Sequence, residues 1–287
     1  MAAGIHVSTL GAAAAGTLAI GDKPVHRMGF GAMRICGPSV WGPPKDHVTV
    51  RNVLRRAVEL GVNFIDTADS YGPGVSEALI AEALHPYPAG LVIATKGGLT
   101  RPEPHAWNPD GRPEHLRQAL EGSLKRLKVA CIDLYQLHEP DPAVPYADSI
   151  GALADMQRAG KIRHIGISNV SVAQLETARC IVPIVSVQNK YNLGDRSSDA
   201  VLAACERQGI PFMPWYPMDA GRSLKSDKLK QLAAARGVSA AQMALAWLLS
   251  KSPAILMIPG TGSVAHLEEN IAAAALKLSV EELAVLA

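Results

Sequence analysis

The sequence predicts a (β/α)8 TIM barrel, a fold in which eight parallel strands alternate with eight helices. Short apolar segments alternate with amphipathic segments along nearly the whole chain, and no Pro/Gly/Ser-rich linker divides it. Eight such pairs occupy about 250 residues, the usual size of this barrel. The 287 residues, 48% of them apolar, suffice to bury one large core.

The chain is predicted to begin with a mostly disordered extension, residues 1–16, because this Ala/Gly-rich segment lacks the basic region and strong apolar run of a signal peptide. Residues 17–287 are then a single domain that opens with a β-hairpin around Gly21 and Asp22. The predicted barrel strands are residues 28–31, 62–65, 91–95, 132–137, 164–168, 184–188, 211–215 and 254–258. The predicted helices are residues 48–60, 76–84, 113–127, 149–159, 171–180, 198–208, 240–249 and 264–275, with extra helices at 228–236 and at the C-terminal 280–286.

Local signals mark several of these boundaries. Gly61, Gly160 and Gly209 each follow a helical run, and glycine readily adopts the left-handed conformation that ends many helices. Ser171 and Ser239 offer hydroxyl groups for N-caps. A doubly wound open sheet is the alternative architecture, but it would gather its site at one crossover, whereas here polar residues end four consecutive strands.

Three consecutive apolar strands each end in an ionisable residue. Asp66, Lys96 and His138 occupy these positions, and Tyr71 lies in the loop after the first of the three strands. The carboxyl ends of barrel strands meet at one mouth, where barrel enzymes place their active sites. The four side chains are therefore predicted to meet there.

These four residue types suit proton transfer to a carbonyl oxygen. Free tyrosine ionises near pH ~10, and a nearby ammonium group lowers that pKa, so Lys96 would tune Tyr71 as the proton donor. Asp66 would hold Lys96, and His138 would hydrogen-bond the carbonyl oxygen. The alternative is structural: an Asp–Lys ion pair, a surface tyrosine and a core histidine.

A second group of polar strand ends suits a nicotinamide ring. Ser168, Asn169 and Gln188 carry hydroxyl or amide groups that can bond a carboxamide, although each alone is also a common cap or turn residue. Trp215 ends the next strand. Its flat face suits stacking on an aromatic ring of a ligand, and the alternative is an ordinary core side chain. The loop at residues 258–263 contains the start of the dinucleotide pattern G-x-G-x-x-A, which runs from Gly260 to Ala265. Too little chain follows for a Rossmann domain, so residues 258–263 are predicted to form the eighth, phosphate-binding loop of the barrel.

Composition argues against several other classes of protein. The net charge of +2, without a long basic block, argues against a nucleic-acid partner. No membrane span is predicted, because the sequence contains no stretch of about 18 apolar residues. The four cysteines form no C-x-x-C pair, which suits a reducing cytoplasm. Pro140 interrupts the sequence around His138, Glu139 and Asp141, so no metal ion is expected.

The chain resembles the aldo-keto reductase family from about residue 17 to its C-terminal helix. The matching segments are Gly29-Phe-Gly-Ala-Met33, Phe64-Ile-Asp-Thr-Ala-Asp-Ser-Tyr-Gly72, Ala94-Thr-Lys96, Asp133-Leu-Tyr-Gln-Leu-His138, Gly166-Ile-Ser-Asn169, Val187-Gln188, Ile258-Pro259 and Glu269-Asn270. The resemblance implies NADPH-dependent carbonyl reduction, with NADH possible, by the tetrad Asp66, Tyr71, Lys96 and His138. The implied cofactor-binding residues are Gly31, Ala32, Met33, Ser168, Asn169, Gln188, Trp215, Tyr216, Pro217, Met218, Ile258, Gly260, Thr261, Gly262, Ser263, His266, Glu269 and Asn270.

Within that family the segments 32–38, 41–44 and 258–267 are similar to a bacterial branch that includes pyridoxal reductases. Gly260 and His266 stand where many members carry Lys and Arg, which bind the 2′-phosphate of the cofactor. The expected substrate is a small aldehyde or ketone, with pyridoxal-like compounds among the candidates, bound against Trp41, Tyr71, Trp107 and His138. The alternatives are an alcohol dehydrogenase and a nicotinamide-binding regulatory subunit; a monomer or weak homo-oligomer is expected.

Overall fold

The computed structural model describes residues 11–286. The chain opens with the predicted hairpin, β1 (Thr17–Ile20) and β2 (Lys23–His26), whose antiparallel register pairs Ile20 with Lys23. In chain order, the further elements are β3 (Phe30–Gly31), α1 (His47–Glu59), β4 (Phe64–Asp66), α2 (Val75–Leu84), β5 (Val92–Gly97), β6 (Leu99–Thr100), β7 (Asn108–Pro109), α3 (Pro113–Leu127), β8 (Ile132–Leu137), α4 (Tyr146–Arg158), β9 (Ile162–Ser168), α5 (Val172–Ile181), β10 (Ile184–Lys190), α6 (Asp199–Gln208), β11 (Phe212–Trp215), α7 (Asp227–Ala235), α8 (Ala240–Lys251), α9 (Val264–Ala272) and α10 (Val280–Val285).

Seven strands form one parallel sheet in the order β3-β4-β5-β8-β9-β10-β11, which curls into a barrel. The predicted eighth strand, residues 254–258, joins its two edges. On one side Leu256 N donates to Phe212 O at 2.9 Å, and on the other Met257 N donates to Arg27 O at 2.8 Å. This seam consists of single bridges rather than a continuous ladder, because Pro253 and Pro259 flank it and have no N–H to donate.

Two buried layers follow from the alternation of side chains along the strands. Inside the barrel, Phe64, Val92, Leu134, Met213 and Leu256 pack together with Ile20 and Val25 of the hairpin. The hairpin therefore closes the amino-terminal end of the barrel and leaves the carboxyl ends of the strands to form the mouth. The second, larger layer lies between the strands and the surrounding helices.

The predicted N-terminal extension is partly wrong. Gly11–Ala15 is a 3-10 helix, and its Ala12 and Ala15 are buried. Ala12 N donates to Leu60 O at 2.8 Å, and the alanines fit closely beside the 3-10 turn Ala273–Ala275 because their side chains are small. Residues 11–16 thus belong to the folded unit, whereas residues 1–10 lie outside the described part of the chain.

The predicted helix ends are confirmed. Gly61, Gly160 and Gly209 have φ of +82°, +76° and +65°, the left-handed region. Ser171 and Ser239 both form capping boxes with a glutamine three residues later. Among the described helices, none alone has the length and apolar character to cross a membrane; α7 and α8 satisfy this only as a pair bent by 96°.

Candidate active site

Asp66, at the end of β4, accepts three hydrogen bonds from side chains on three other strands. Lys96 Nζ donates to Oδ2 at 2.7 Å, while Gln188 Nε2 and Gln136 Nε2 donate to Oδ1 at 2.9 and 3.1 Å. Asp66 is only 3% exposed. Because a buried carboxylate needs donors to replace water, these three contacts fix the charged group at the base of the mouth.

Lys96, at the end region of β5, is completely buried. Its ammonium also donates to Thr67 O at 2.9 Å, and Nζ lies 5.2 Å from the centroid of the Tyr71 ring. Burial lowers the pKa of Lys96, and the charge of Asp66 acts in the opposite direction. The ion pair with Asp66 is therefore what keeps a cation in this apolar setting.

The expected lowering of the Tyr71 pKa is wrong for this structure. Burial, followed by the negative charge of Asp66, raises the pKa of Tyr71 well above its usual value. Lys96 does not offset these effects, because its ammonium is 2.7 Å from the carboxylate of Asp66 but 5.2 Å from the centroid of the Tyr71 ring, so its charge acts mainly on Asp66. Tyr71 therefore stands in the mouth as a neutral phenol, which still carries a proton to donate.

His138 follows β8 and lies beside the phenol. The two rings are 5.8 Å apart at their centroids and nearly perpendicular, and Nδ1 of His138 is 3.3 Å from Ser70 Oγ. Burial and then the positive charge of Lys96 lower the pKa of His138 well below its usual value. His138 is thus a neutral hydrogen-bonding group, and all four predicted catalytic residues come together at one mouth.

A cavity of about 430 Å³ extends from Asp66 and Tyr71 across the mouth to His266. The predicted cofactor residues that line it are Gly31, Met33, Gln188, Trp215, Tyr216, Pro217, Met218, Ile258, Gly260 and His266. The backbones of Gly31 and Gly260 pack directly against each other: a Cβ on Gly260 would lie 2.3 Å from Gly31 O. Glycine at both positions is therefore required by the close approach of the first and eighth loops.

The remaining predicted cofactor residues do not line this cavity: Ala32, Ser168, Asn169, Thr261, Gly262, Ser263, Glu269 and Asn270. The side chain of Asn169 is already bonded within the protein, donating to His138 O at 3.1 Å and accepting from Trp215 Nε1 at 3.0 Å.

In the predicted phosphate-binding loop, one backbone N–H group is already bonded within the protein. The N–H of Ser263 donates to Thr261 Oγ1 at 3.1 Å. The reason is local: a hydroxyl two residues away competes for the same donor. Ser263 itself caps α9.

Aromatic side chains stand on the other side of Tyr71. Trp107 packs edge-on to Tyr71, with ring centroids 6.3 Å apart, and is 38% exposed. Trp41 forms an isolated bridge with Gly72, next to the tyrosine. Trp107 and His138 thus pack against the phenol ring of Tyr71, and Trp41 meets the next residue of the chain through its backbone.

Sequence reasoning missed three functional candidates. Gln136 donates a hydrogen bond to Asp66. The sequence signal for it was an amide side chain two residues before His138 on a buried strand, because residues two apart on a strand lie on the same face. Arg34 lines the cavity and Arg101 contacts both tryptophans, and neither has a sequence signal beyond its charge. Among residues 11–286, no group of three or more His, Cys, Asp or Glu side chains is placed to hold a metal ion.

Comparison with known proteins agrees with this geometry. The model of the Aldo/keto reductase family matches residues 27–287. The chain belongs to the aldo/keto reductase family. It is 49% identical over 280 residues to an uncharacterized oxidoreductase of Schizosaccharomyces pombe, covering 97% of this chain and 91% of the relative. It is 45% identical over 277 residues to pyridoxine 4-dehydrogenase of Escherichia coli, covering 94% and 96% of the two chains.

Solved structures of the aldo/keto reductase family share the fold. A glycerol dehydrogenase from Gluconobacter oxydans has a TM-score of 0.85 and 28% identity, covering 95% of this chain and 94% of that chain. An aldo/keto reductase from Klebsiella pneumoniae, in complex with NADP and acetate, has a TM-score of 0.77 and 26% identity, covering 92% and 90% of the two chains. The chain is therefore an oxidoreductase with the (β/α)8 fold.

Proposed function

We propose that this chain reduces a small aldehyde or ketone with NADPH at the mouth formed by Asp66, Tyr71, Lys96 and His138. The observation that carries the proposal is the arrangement of a neutral, buried phenol beside a buried ammonium and a neutral imidazole. Such a group of proton donors suits an oxygen atom on which negative charge develops.

The four side chains have different roles, which follow from their charges. NADPH supplies the hydride when it is bound. The hydroxyl of Tyr71 donates a hydrogen bond to the carbonyl oxygen and then its proton, because the oxygen becomes more basic than the phenolate as charge develops. Lys96 stabilises the phenolate that remains, Asp66 holds Lys96 in place, and neutral His138 orients the carbonyl by a hydrogen bond.

The cavity beside Tyr71 suits a dinucleotide. Trp215 presents an aromatic ring at the inner end, while Gln188 is held there by its bond to Asp66. At the outer end the cavity is lined by Gly260, His266 and Arg34. Gly260 and His266 occupy the positions of the Lys and Arg of many relatives, and Arg34 is a further cation that lines the cavity. NADPH is therefore still preferred over NADH, by less than in relatives that keep both cations.

The preferred substrate is a planar aromatic aldehyde of the pyridoxal class. One relative, 45% identical, is a pyridoxine 4-dehydrogenase, and Trp107 places a flat apolar ring against Tyr71, while Trp41 is bridged through its backbone to Gly72. A cytoplasmic location and a monomeric or weakly oligomeric state remain predictions from the sequence.

The test is a panel of carbonyl compounds, including pyridoxal and propanal, incubated with purified protein and NADPH while absorbance at the nicotinamide band is followed. NADP⁺ with pyridoxine measures the reverse reaction. Tyr71→Phe is the control for catalysis by this site. A protein that binds NADPH but turns over none of these compounds would contradict the proposal and favour the regulatory-subunit alternative.

A further inference from the structure

Arg101 is a buried arginine with no carboxylate partner among residues 11–286. It follows β6 and is only 7% exposed. Within the described residues it forms no ion pair, although burying a guanidinium without compensation is costly. Something other than charge neutralisation must hold it there.

Four backbone carbonyl groups from three loops accept its hydrogen bonds. Nη1 donates to Ser70 O at 3.3 Å and Val40 O at 3.4 Å, while Nη2 donates to Ser39 O at 3.2 Å and to Pro104 O. One side chain thus joins the loop after β3, the loop that carries Tyr71, and its own loop. A lysine has three N–H groups on one nitrogen and cannot reproduce this planar arrangement of four bonds.

The segment that Arg101 holds has a strained backbone. Ser39 and Val40 have φ of +57° and +56°, and a left-handed conformation is a genuine outlier for a β-branched residue such as valine. A strained backbone persists only when its surroundings enforce it. The two bonds from Arg101 to the carbonyl groups of these residues are part of that enforcement.

The same guanidinium lies between the two tryptophans of the pocket wall. Its Cζ is 3.5 Å from the ring centroid of Trp107 and 5.5 Å from that of Trp41. Trp107 in turn packs edge-on to Tyr71. The order of contact is therefore guanidinium, indole, then phenol.

We propose that Arg101 is a positioning residue that determines substrate specificity: its planar group holds Trp107 beside Tyr71 and so favours planar aromatic over small aliphatic carbonyl compounds. This rests on the proposed function. An aromatic substrate needs the ordered indole face, whereas propanal reaches Tyr71 without it. Loss of the stack should therefore act mainly on KM for the aromatic substrate.

The experiment compares wild type, Arg101→Lys, Trp107→Leu and the double variant, with Arg112→Lys as the matched control in the same loop. Arg112 is exposed and paired with Asp110, so its kinetics should match wild type. Arg101→Lys should lower the ratio of kcat/KM for pyridoxal to that for propanal about 10-fold, mostly through KM. The Kd for NADPH should change less than twofold.

The double variant decides whether Arg101 acts through Trp107. In the Trp107→Leu background, Arg101→Lys should change the selectivity ratio by less than twofold; an independent effect of the same size as in wild type would overturn the proposal. If Arg101→Lys does not fold, Trp107→Leu alone must lower the ratio, and unchanged selectivity there would equally overturn it.

Tryptophan fluorescence separates this proposal from the proposed function. Arg101→Lys should increase acrylamide quenching, and this increase should disappear in the Trp107→Leu background. If wild type reduces no carbonyl compound, the proposed function fails, and the quenching result still decides whether Arg101 orders Trp107. Unchanged quenching in Arg101→Lys would reject the positioning role whatever the turnover.

Discussion

At the residue scale, the central feature is one carboxylate with three buried donors. Asp66 is bonded by a lysine and two glutamines, all of which are nearly or completely inaccessible to solvent. Removing one member of a buried ion pair leaves the other charge uncompensated, which typically costs about 3–5 kcal/mol. For variants of these four residues, stability and catalytic activity must therefore be measured separately.

Tyr71→Phe should reduce kcat by about 10²–10⁴-fold, because a general acid typically contributes that much. The expected Kd for NADPH is unchanged, since the hydroxyl is needed only when charge develops on the carbonyl oxygen. Steady-state kinetics and a fluorescence titration measure the two quantities. Activity within a factor of a few of wild type would remove Tyr71 from its assigned role.

Lys96→Met should abolish turnover more completely than Asp66→Asn. The first removes the cation beside the phenol, whereas the second keeps Lys96 and loses only the group that positions it. Both variants should be compared by kcat after circular dichroism has shown that each is folded. The opposite order in two folded variants would reverse the roles assigned here.

Gly260→Ala should weaken NADPH binding, and His266→Arg should strengthen it. A Cβ at position 260 meets Gly31 O at 2.3 Å, so this backbone cannot accept the Lys of many relatives, whereas His266 is exposed at the edge of the cavity. A well-placed cation adds about 1.5–3 kcal/mol, or roughly 10-fold or more in the preference for NADPH over NADH. Calorimetric titration with both cofactors measures this preference. An unchanged preference for NADPH in His266→Arg would show that the 2′-phosphate binds away from position 266.

At the element scale, the loop between β4 and α2 carries more than the tyrosine. Asp69 Oδ1 is buried without a hydrogen-bond partner among the described residues, and Glu77 of α2 is completely buried and paired with Arg126 at 2.6 Å. Burial, followed by the charge of Glu77, raises the pKa of Asp69 to about 8. The loop and the start of α2 thus bury two carboxyl groups near each other, and the carboxyl group of Asp69 keeps its proton at neutral pH.

Asp69→Asn should stabilise the protein more at pH 8 than at pH 5. The unfolded aspartate loses its proton near pH ~3.9, so between that pH and the folded pKa the native state holds a proton that the unfolded state has lost. The penalty of wild-type Asp69 therefore grows as pH rises, by up to about 1.4 kcal/mol per pH unit. Urea unfolding of both proteins at the two pH values tests this, and an equal difference at both would refute it.

At the scale of the whole molecule, the barrel is closed by a seam that Arg27 joins. Arg27 Nε donates to Ile255 O at 3.0 Å, and Nη2 donates to Leu249 O at 2.9 Å and Ser252 O at 2.6 Å. Arg27 lies three residues before β3 and thereby contacts the end of α8 and residues 252–255. Because the seam has only isolated bridges instead of a continuous ladder, we expect this side chain to contribute to closure.

Arg27→Met should lower the free energy of unfolding by about 2–4 kcal/mol, because several buried carbonyl groups lose their donor. The control is Arg55→Met, an exposed arginine with one backbone contact, which should cost less than about 0.5 kcal/mol. Urea unfolding followed by circular dichroism measures both. Equal costs for the two variants would show that the seam closes without Arg27.

The alternation of strands and helices, and the meeting of Asp66, Tyr71, Lys96 and His138 at one mouth, could be predicted from the amino-acid sequence alone. The spacing of apolar residues and the glycines at helix ends are local properties of the chain, and a parallel barrel brings the carboxyl ends of its strands to one mouth. The raised pKa of Tyr71 could not be predicted in this way, because burial and ion pairing depend on distances between strands. The same holds for the need for glycine at position 260, for the folding of residues 11–16 and for the bonds from Arg101 to three loops, because each depends on contacts between segments far apart in the chain.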